Sequence, residues 1–235
     1  MKQRWHDVLF AHWSLPPVRL RGLVPPQMEL DTFDGKAWVG LVAFRMSGIR
    51  LRGLPPVPRL SSFPELNLRT YVRVGDRAGV HFLSLDGDSR LGVTVARRWF
   101  RVPYYRAKAS LDRQDDAIHY TCRRQHKGAP AVRFKGSYAP VGDIRRVEAG
   151  TLAHWLVERY CLFTLDARGR IIVGEIHHPP WEVREARLQA RENTMGAGVG
   201  LELAATPEHV VFSPEQEAVF WPPRPVQSEG SATPC

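Results

Sequence analysis

The run Val102-Pro103-Tyr104-Tyr105-Arg106-Ala107-Lys108-Ala109-Ser110-Leu111 alternates its side chains at a period of two. That is the period of a β-strand, whose successive side chains point to opposite faces. Tyr104, Arg106, Lys108 and Ser110 share one face; Tyr105, Ala107, Ala109 and Leu111 share the other. Asp115-Asp116 then reads as a turn, and residues 118–125 and 131–138 read as further strands.

Outward from this stretch the same pattern recurs. Residues 65–74 and 80–85 read as antiparallel partners across a turn at 75–79. Asp34-Gly35 marks a hairpin between residues 28–33 and 37–47. In the second of these, Trp38, Gly40 and Val42 oppose Val39, Leu41 and Ala43, so both faces are apolar and the strand is central. Residues 161–165 and 171–176 flank a turn at Ala167-Arg168-Gly169, and residues 183–192, 210–213 and 218–221 supply later strands.

Helices are few. Trp5, Leu9 and Trp13, four apart, predict a short helix; Pro16-Pro17 stops it and starts another through Leu23. Residues 88–100, capped by Asp88, residues 151–160 and residues 195–201 read as the rest. Residues 54–64 read as a proline-rich ordered loop. The expectation is a mainly β (α+β) fold, a large antiparallel barrel or sandwich with a few peripheral helices. It forms one domain over residues 1–225, with a disordered tail at 226–235.

Composition narrows the function. The net charge is +9, but of 33 basic residues only five are lysines, and the arginines run from Arg4 to Arg224 without a basic cluster. This reads as a solvated surface, not a nucleic-acid face. Cys122, Cys161 and Cys235 form no CxxC pair, which excludes a disulfide framework and suits a cytoplasmic protein. No run approaches the ~18 apolar residues of a membrane span, and residues 1–16 lack signal-peptide character. No nucleophile elbow, Walker loop, HExxH or GxGxxG dinucleotide motif is present. The partner expected is a small-molecule ligand, with no membrane, no cofactor and no metal; a homo-oligomer is compatible with all of this.

Several motifs together resemble one family of bacterial proteins of unknown function, the YqjF-like proteins. They are His12-Trp13 with Pro16-Pro17; Glu29-Leu30-Asp31 with Trp38-Val39-Gly40-Leu41 and Phe44-Arg45-Met46; and Phe63-Pro64-Glu65-Leu66-Asn67-Leu68-Arg69-Thr70-Tyr71-Val72. Further on stand Pro103-Tyr104-Tyr105, Glu158-Arg159-Tyr160-Cys161, Gly174-Glu175-Ile176-His177-His178-Pro179-Pro180-Trp181 and Glu192-Asn193-Thr194. The resemblance spans about residues 5 to 225. This family is in turn remotely similar to the acetoacetate decarboxylases, which implies a double β-barrel fold around a buried pocket. In those enzymes a lysine forms a Schiff base with the substrate ketone, and a second lysine depresses its pKa. The matching positions after Pro103 are Tyr104 and Tyr105. Both lysines are missing, and with them the ground for expecting acetoacetate decarboxylation.

The candidate site residues follow from these strands. Lys108 lies about 13 Å beyond Tyr104 on the same face and could supply a displaced amine, with Arg106 beside it, or simply solvate an outer face. Glu65, Asn67, Arg69 and Tyr71 form a polar row that suits a barrel interior. There Glu65 would act as acid or base and Arg69 as a carboxylate clamp, with Tyr104 and Tyr105 near; a self-satisfied Glu65 to Arg69 network is the alternative. The resemblance supports a ligand role, because the decarboxylases place a glutamate on the matching strand. His177 shares a strand face with Glu175 and is a further ligand-binding candidate, or a hydrogen-bonded loop residue. Glu158 and Arg159 reach the pocket mouth or pair with each other. Two functions remain open: binding of a small carboxylate or carbonyl metabolite without turnover, and lyase, enol or imine chemistry through Tyr104, Glu65, Arg69 and Lys108.

Overall fold

A computed structural model describes residues 1–50, 62–89 and 101–226. Most of the proline-rich loop, the expected 88–100 helix and nearly all of the tail lie outside the described residues.

Strand β1 (Lys2–Leu15) replaces the helix expected around Trp5, Leu9 and Trp13. A spacing of four satisfies both a period near 3.6 and a period of two, so those residues could not decide between them. Val8, Leu9, Phe10 and Ala11 did carry the answer: all four are buried, as a strand packed on both faces requires. At Asp7 the backbone turns through φ 54, and the register with the next strand slips between His6 and Leu9. The Tyr138 hydroxyl donates to the Asp7 carbonyl over 2.6 Å. This bulge moves Trp5 to the opposite face from Leu9 and Trp13.

Helix α1 (Pro17–Arg21) begins on a proline as expected. Strands β2 (Glu29–Leu30) and β3 (Ala37–Arg50) flank a turn in which Asp34 and Gly35 both take positive φ. The hairpin is limited to the bridge between Phe33 and Lys36. β2 instead pairs with β4 (Phe63–Val74), because both edges of β3 are taken by β1 and β4. Next come β5 (Arg77–Gly87), β6 (Tyr104–Gln114), β7 (Ala117–Arg124) and β8 (Arg133–Arg146).

Helix α2 (Leu152–Val157) is capped by the Thr151 hydroxyl and stops short of Tyr160, since Arg159 turns inward. β9 (Cys161–Leu165), β10 (Ile171–His177) and β11 (Glu182–Asn193) precede a 3-10 turn at Ala197–Val199. β12 (His209–Phe220) is one strand, not the two expected. Its Pro214 falls opposite the Asp7 bulge, where the ladder makes no demand for its missing N–H. β13 (Arg224–Pro225) pairs with β10.

The strands close two circuits. One runs β4, β5, β6, β7, β8, β11, β12, β1, β3 and back to β4; the other runs β5, β9, β10, β12, β1, β3, β4 and back to β5. Pairing is antiparallel except between β5 and β6 and between β5 and β9. Strands β12, β1, β3, β4 and β5 are common to both circuits, so each is packed on two faces. Leu9, Ala11, Leu41, Leu66 and Leu68 face one core with Tyr120, Phe134 and Tyr138. Phe10, Val42, Phe44 and Tyr71 face the second, with Trp38, Tyr104, Ile176 and Trp181. Closing the sheet in this way leaves only the two-residue strands β2 and β13 at its ends among the described residues, short edges that offer little to a further strand.

Candidate functional site

The second core holds the polar row. Glu65, Asn67, Arg69 and Tyr71 alternate along β4 with Leu66, Leu68 and Thr70, so β-geometry alone sends all four to the same side. Glu65 and Asn67 are buried, Tyr71 is fully so, and Arg69 is half-buried. Tyr104 joins them from β6, its phenol donating to Glu65 Oε2 in a short hydrogen bond. Asn67 Nδ2 stands 3.4 Å from Glu65 Oε1. The approach depends on Gly87, which pairs with Glu65 on β5: a Cβ there would lie 2.6 Å from the Tyr104 hydroxyl.

The electrostatics follow from burial. Desolvation pushes the Glu65 carboxyl up to about 7, against the hydrogen bonds from Tyr104 and Asn67, which pull it down. Desolvation, then the Glu65 charge, holds the Tyr104 phenol well above its ordinary value. Glu65 can therefore gain or lose a proton near neutrality while Tyr104 keeps its own.

Arg69 does not pair with Glu65, so the self-satisfied network is not what forms. Its Nη2 donates to the Leu156 carbonyl at the end of α2 over 3.1 Å, and its Nε meets no partner among the described residues. The guanidinium lies 5.5 Å from the Phe10 ring and 5.7 Å from the Tyr71 ring, and among the described residues no carboxylate pairs with it. Arg159 enters from the end of α2. It binds Asp31 at 2.7 Å, not Glu158, and stacks on Trp155 and Tyr71. Glu158 instead accepts from the Trp181 amide and the Tyr160 hydroxyl.

Unpartnered buried polar atoms concentrate here. Among the described residues, Arg69 Nε, Arg159 Nη2 and the indole nitrogens of Trp5, Trp38 and Trp181 are donors without an acceptor. Asn67 Oδ1, Tyr71 Oη and His12 Nε2 are likewise unpartnered. A core that is merely structural satisfies nearly all such groups, since each orphan costs about 1–3 kcal/mol.

Residues 2–217 match the DUF2071 family, described as an uncharacterized conserved protein. YqjF of Bacillus subtilis (strain 168), itself uncharacterized, is 39% identical over 224 residues, covering 95% of this chain and 91% of that protein. The chain belongs to the DUF2071 family. Its fold is that of the acetoacetate decarboxylases. The decarboxylase from Legionella pneumophila superimposes with a TM-score of 0.62 at 14% identity, over 97% of this chain and 88% of that one. The enduracididine biosynthesis enzyme MppR complexed with pyruvate superimposes with a TM-score of 0.63 at 15% identity, over 95% and 89%.

The other predicted residues of this DUF2071 protein lie apart from the Glu65 group. β6 pairs with β5 only from Tyr104 to Arg106 and then diverges, so the face that is interior at Tyr104 is exterior at Lys108. Lys108 is exposed opposite Arg123. Arg106 is half-buried, its guanidinium directed at Gln125. Tyr105 points into the first core's rim, beneath Arg124 at 4.0 Å and edge-on to His126. His177 is exposed; its neighbour His178 is the buried one, stacked on Tyr160 at 4.4 Å and next to Trp181. Glu175 is taken by Arg77 and Arg224.

Three contributors escaped the sequence reading. Gly87 carries no side chain to notice. Arg159 is expected at the pocket mouth or paired with Glu158, and its partner Asp31, 128 residues away, has no local signal. His12 was hidden by the helical reading of β1, although it stands in the quoted His12-Trp13 motif; as a strand residue it shares a face with Phe10, into the same core.

Proposed function

We propose that this protein binds a small carboxylate or carbonyl metabolite in the core beside β4, without Schiff-base decarboxylation. The observation that carries this reading is the set of donors in the second core, Arg69 among them, that meet no acceptor among the described residues. Donors that outnumber acceptors call for a ligand rich in acceptor oxygens, and a guanidinium without a carboxylate partner suits an anionic one. Tyr104 stands where the resemblance expects the reactive lysine, and Lys108 is exposed outside the group, so no amine reaches the core from the predicted positions. That MppR is described in complex with pyruvate supports a carbonyl acid as the ligand class.

A panel of 2-oxo acids, β-oxo acids and simple carboxylates tests the proposal by thermal shift and calorimetry, with borohydride added in parallel. Stabilisation by carbonyl acids, lost in Arg69→Gln and unaccompanied by a covalent adduct, is expected. A borohydride-trapped adduct, or indifference to the entire panel, would sink it.

Turnover is the second reading, favoured by Glu65. A buried carboxyl titrating near 7 against a phenol is suited to moving a proton at an enolisable carbon.

A further inference from the structure

His12 is fully buried on the same wall as Arg69 and Tyr71, and its Nδ1 lies 3.2 Å from Nδ1 of His209. The two residues are cross-strand partners of β1 and β12. The His12 ring is 6.3 Å from that of Tyr71, and both rings pack closely against Gly40, whose lack of a side chain admits them. A Cβ at Gly40 would meet Tyr71 Oη at 3.0 Å and His12 Nε2 at 3.3 Å. His12 Nε2 is thus a buried nitrogen with no hydrogen-bond partner among the described residues, beside the Tyr71 hydroxyl. His209 is half-buried, and its outer surroundings are the exposed ion pair of Arg145 and Glu185.

From these positions we propose that His12 is a proton acceptor for the ligand in the core, and that His209 relays its proton to solvent. The inference rests on the binding reading above and adds a residue and a path to it. Between two facing Nδ1 atoms one must donate and the other accept. Arg69 and the indoles already make the core rich in donors, so the matching arrangement leaves His12 Nε2 bare and puts its hydrogen on Nδ1.

For a carbonyl acid, the α C–H proton passes to His12 Nε2, and the C–H electron pair becomes the enolate double bond, leaving negative charge on the carbonyl oxygen. The Nδ1 hydrogen of His12 moves to His209 Nδ1, and the Nε2 hydrogen of His209 leaves to water. One proton exits the core, each imidazole stays neutral, and the reverse sequence returns a solvent proton to carbon. Neutral imidazoles suit the path: burial, then His209 and Arg69, hold His12 well below its ordinary pKa, and burial lowers His209.

Solvent exchange of the pyruvate methyl hydrogens, followed by proton NMR in D2O, reads the relay. The wild-type protein should speed exchange over buffer. His12→Asn should abolish that gain, and His209→Ala should lose at least tenfold and recover on adding imidazole, which a merely structural histidine would not do. His209→Gln serves if the alanine variant does not fold. Pyruvate that stabilises the protein without exchange, or exchange equal in wild type and His209 variants, overturns the relay and leaves the binding reading standing. If pyruvate does not stabilise the wild type, the binding reading fails by its own measure. Long-range nitrogen-15 NMR of the ligand-free imidazoles then decides separately: hydrogen on His12 Nδ1 supports the relay, and hydrogen on Nε2 overturns it.

Discussion

Glu65 is the residue whose ionisation most affects both stability and chemistry. Its folded carboxyl holds a proton up to about pH 7, whereas its ordinary pKa is 4.5. The neutral acid therefore favours the folded state fully below pH 4.5, and that advantage is lost as pH rises through 7. A gap of about 2.5 in pKa corresponds to about 3 kcal/mol. Urea denaturation at pH 5 and pH 8 should show the wild type losing most of this amount relative to Glu65→Gln, which cannot ionise. An equal pH response in the two proteins would contradict it. Tyr104→Phe removes a hydrogen bond that pulls the Glu65 pKa down, so a carbon-13 titration of the Glu65 carboxyl should move above 7 in that variant. These residues were legible in the sequence because alternation along β4 and β6 places side chains without further information. What alternation does not carry is the extent of pairing: Lys108 shares a face with Tyr104 but not an environment.

At the level of elements, the decisive features are places where a regular strand departs from regularity. The Asp7 bulge transfers Trp5 to the other face of β1, which no period in the sequence shows, while the four-residue spacing of Trp5, Leu9 and Trp13 fits a helix as well as a strand. The boundary between β10 and β13 was equally hidden, because a two-residue strand has no period. The turns at Asp34, Asp115 and Gly169 were readable, because turn chemistry is local and each position takes a positive φ, although the strands flanking Asp34 do not pair with each other beyond one bridge. Gly87 shows the same logic in packing. Gly87→Ala places a methyl carbon within 2.6 Å of the Tyr104 hydroxyl, so β5 and β6 must part or Tyr104 must leave Glu65. The expected cost is about 1–3 kcal/mol. A double-mutant cycle with Tyr104→Ala should recover most of it, since the obstructing ring is gone. An undiminished cost in that background would place the strain elsewhere.

Across the whole molecule, the two circuits set a core on either side of the shared strands, and among the described residues each core holds one buried ion pair. Arg159 reaches Asp31 in the core with the polar row, and Arg124 meets Asp86 with two bonds of 2.7 Å in the other. The second pair ties β7 to β5, at the seam where the circuits share a wall. Neither pair was legible from the chain, where Asp86 and Arg124 are 38 residues apart and Asp31 and Arg159 are 128 apart. Removing one partner leaves a charge buried at 2% exposure or less, so Asp86→Asn should lower unfolding free energy by about 3–5 kcal/mol. Replacing both, as Asp86→Leu with Arg124→Met, removes the desolvation of both charges and should cost less than the single change. If instead the double variant is the less stable of the two, the pair is more than a local contact. The seam between the circuits then depends on its charge, and the geometry that carries Tyr104 to Glu65 depends on it as well.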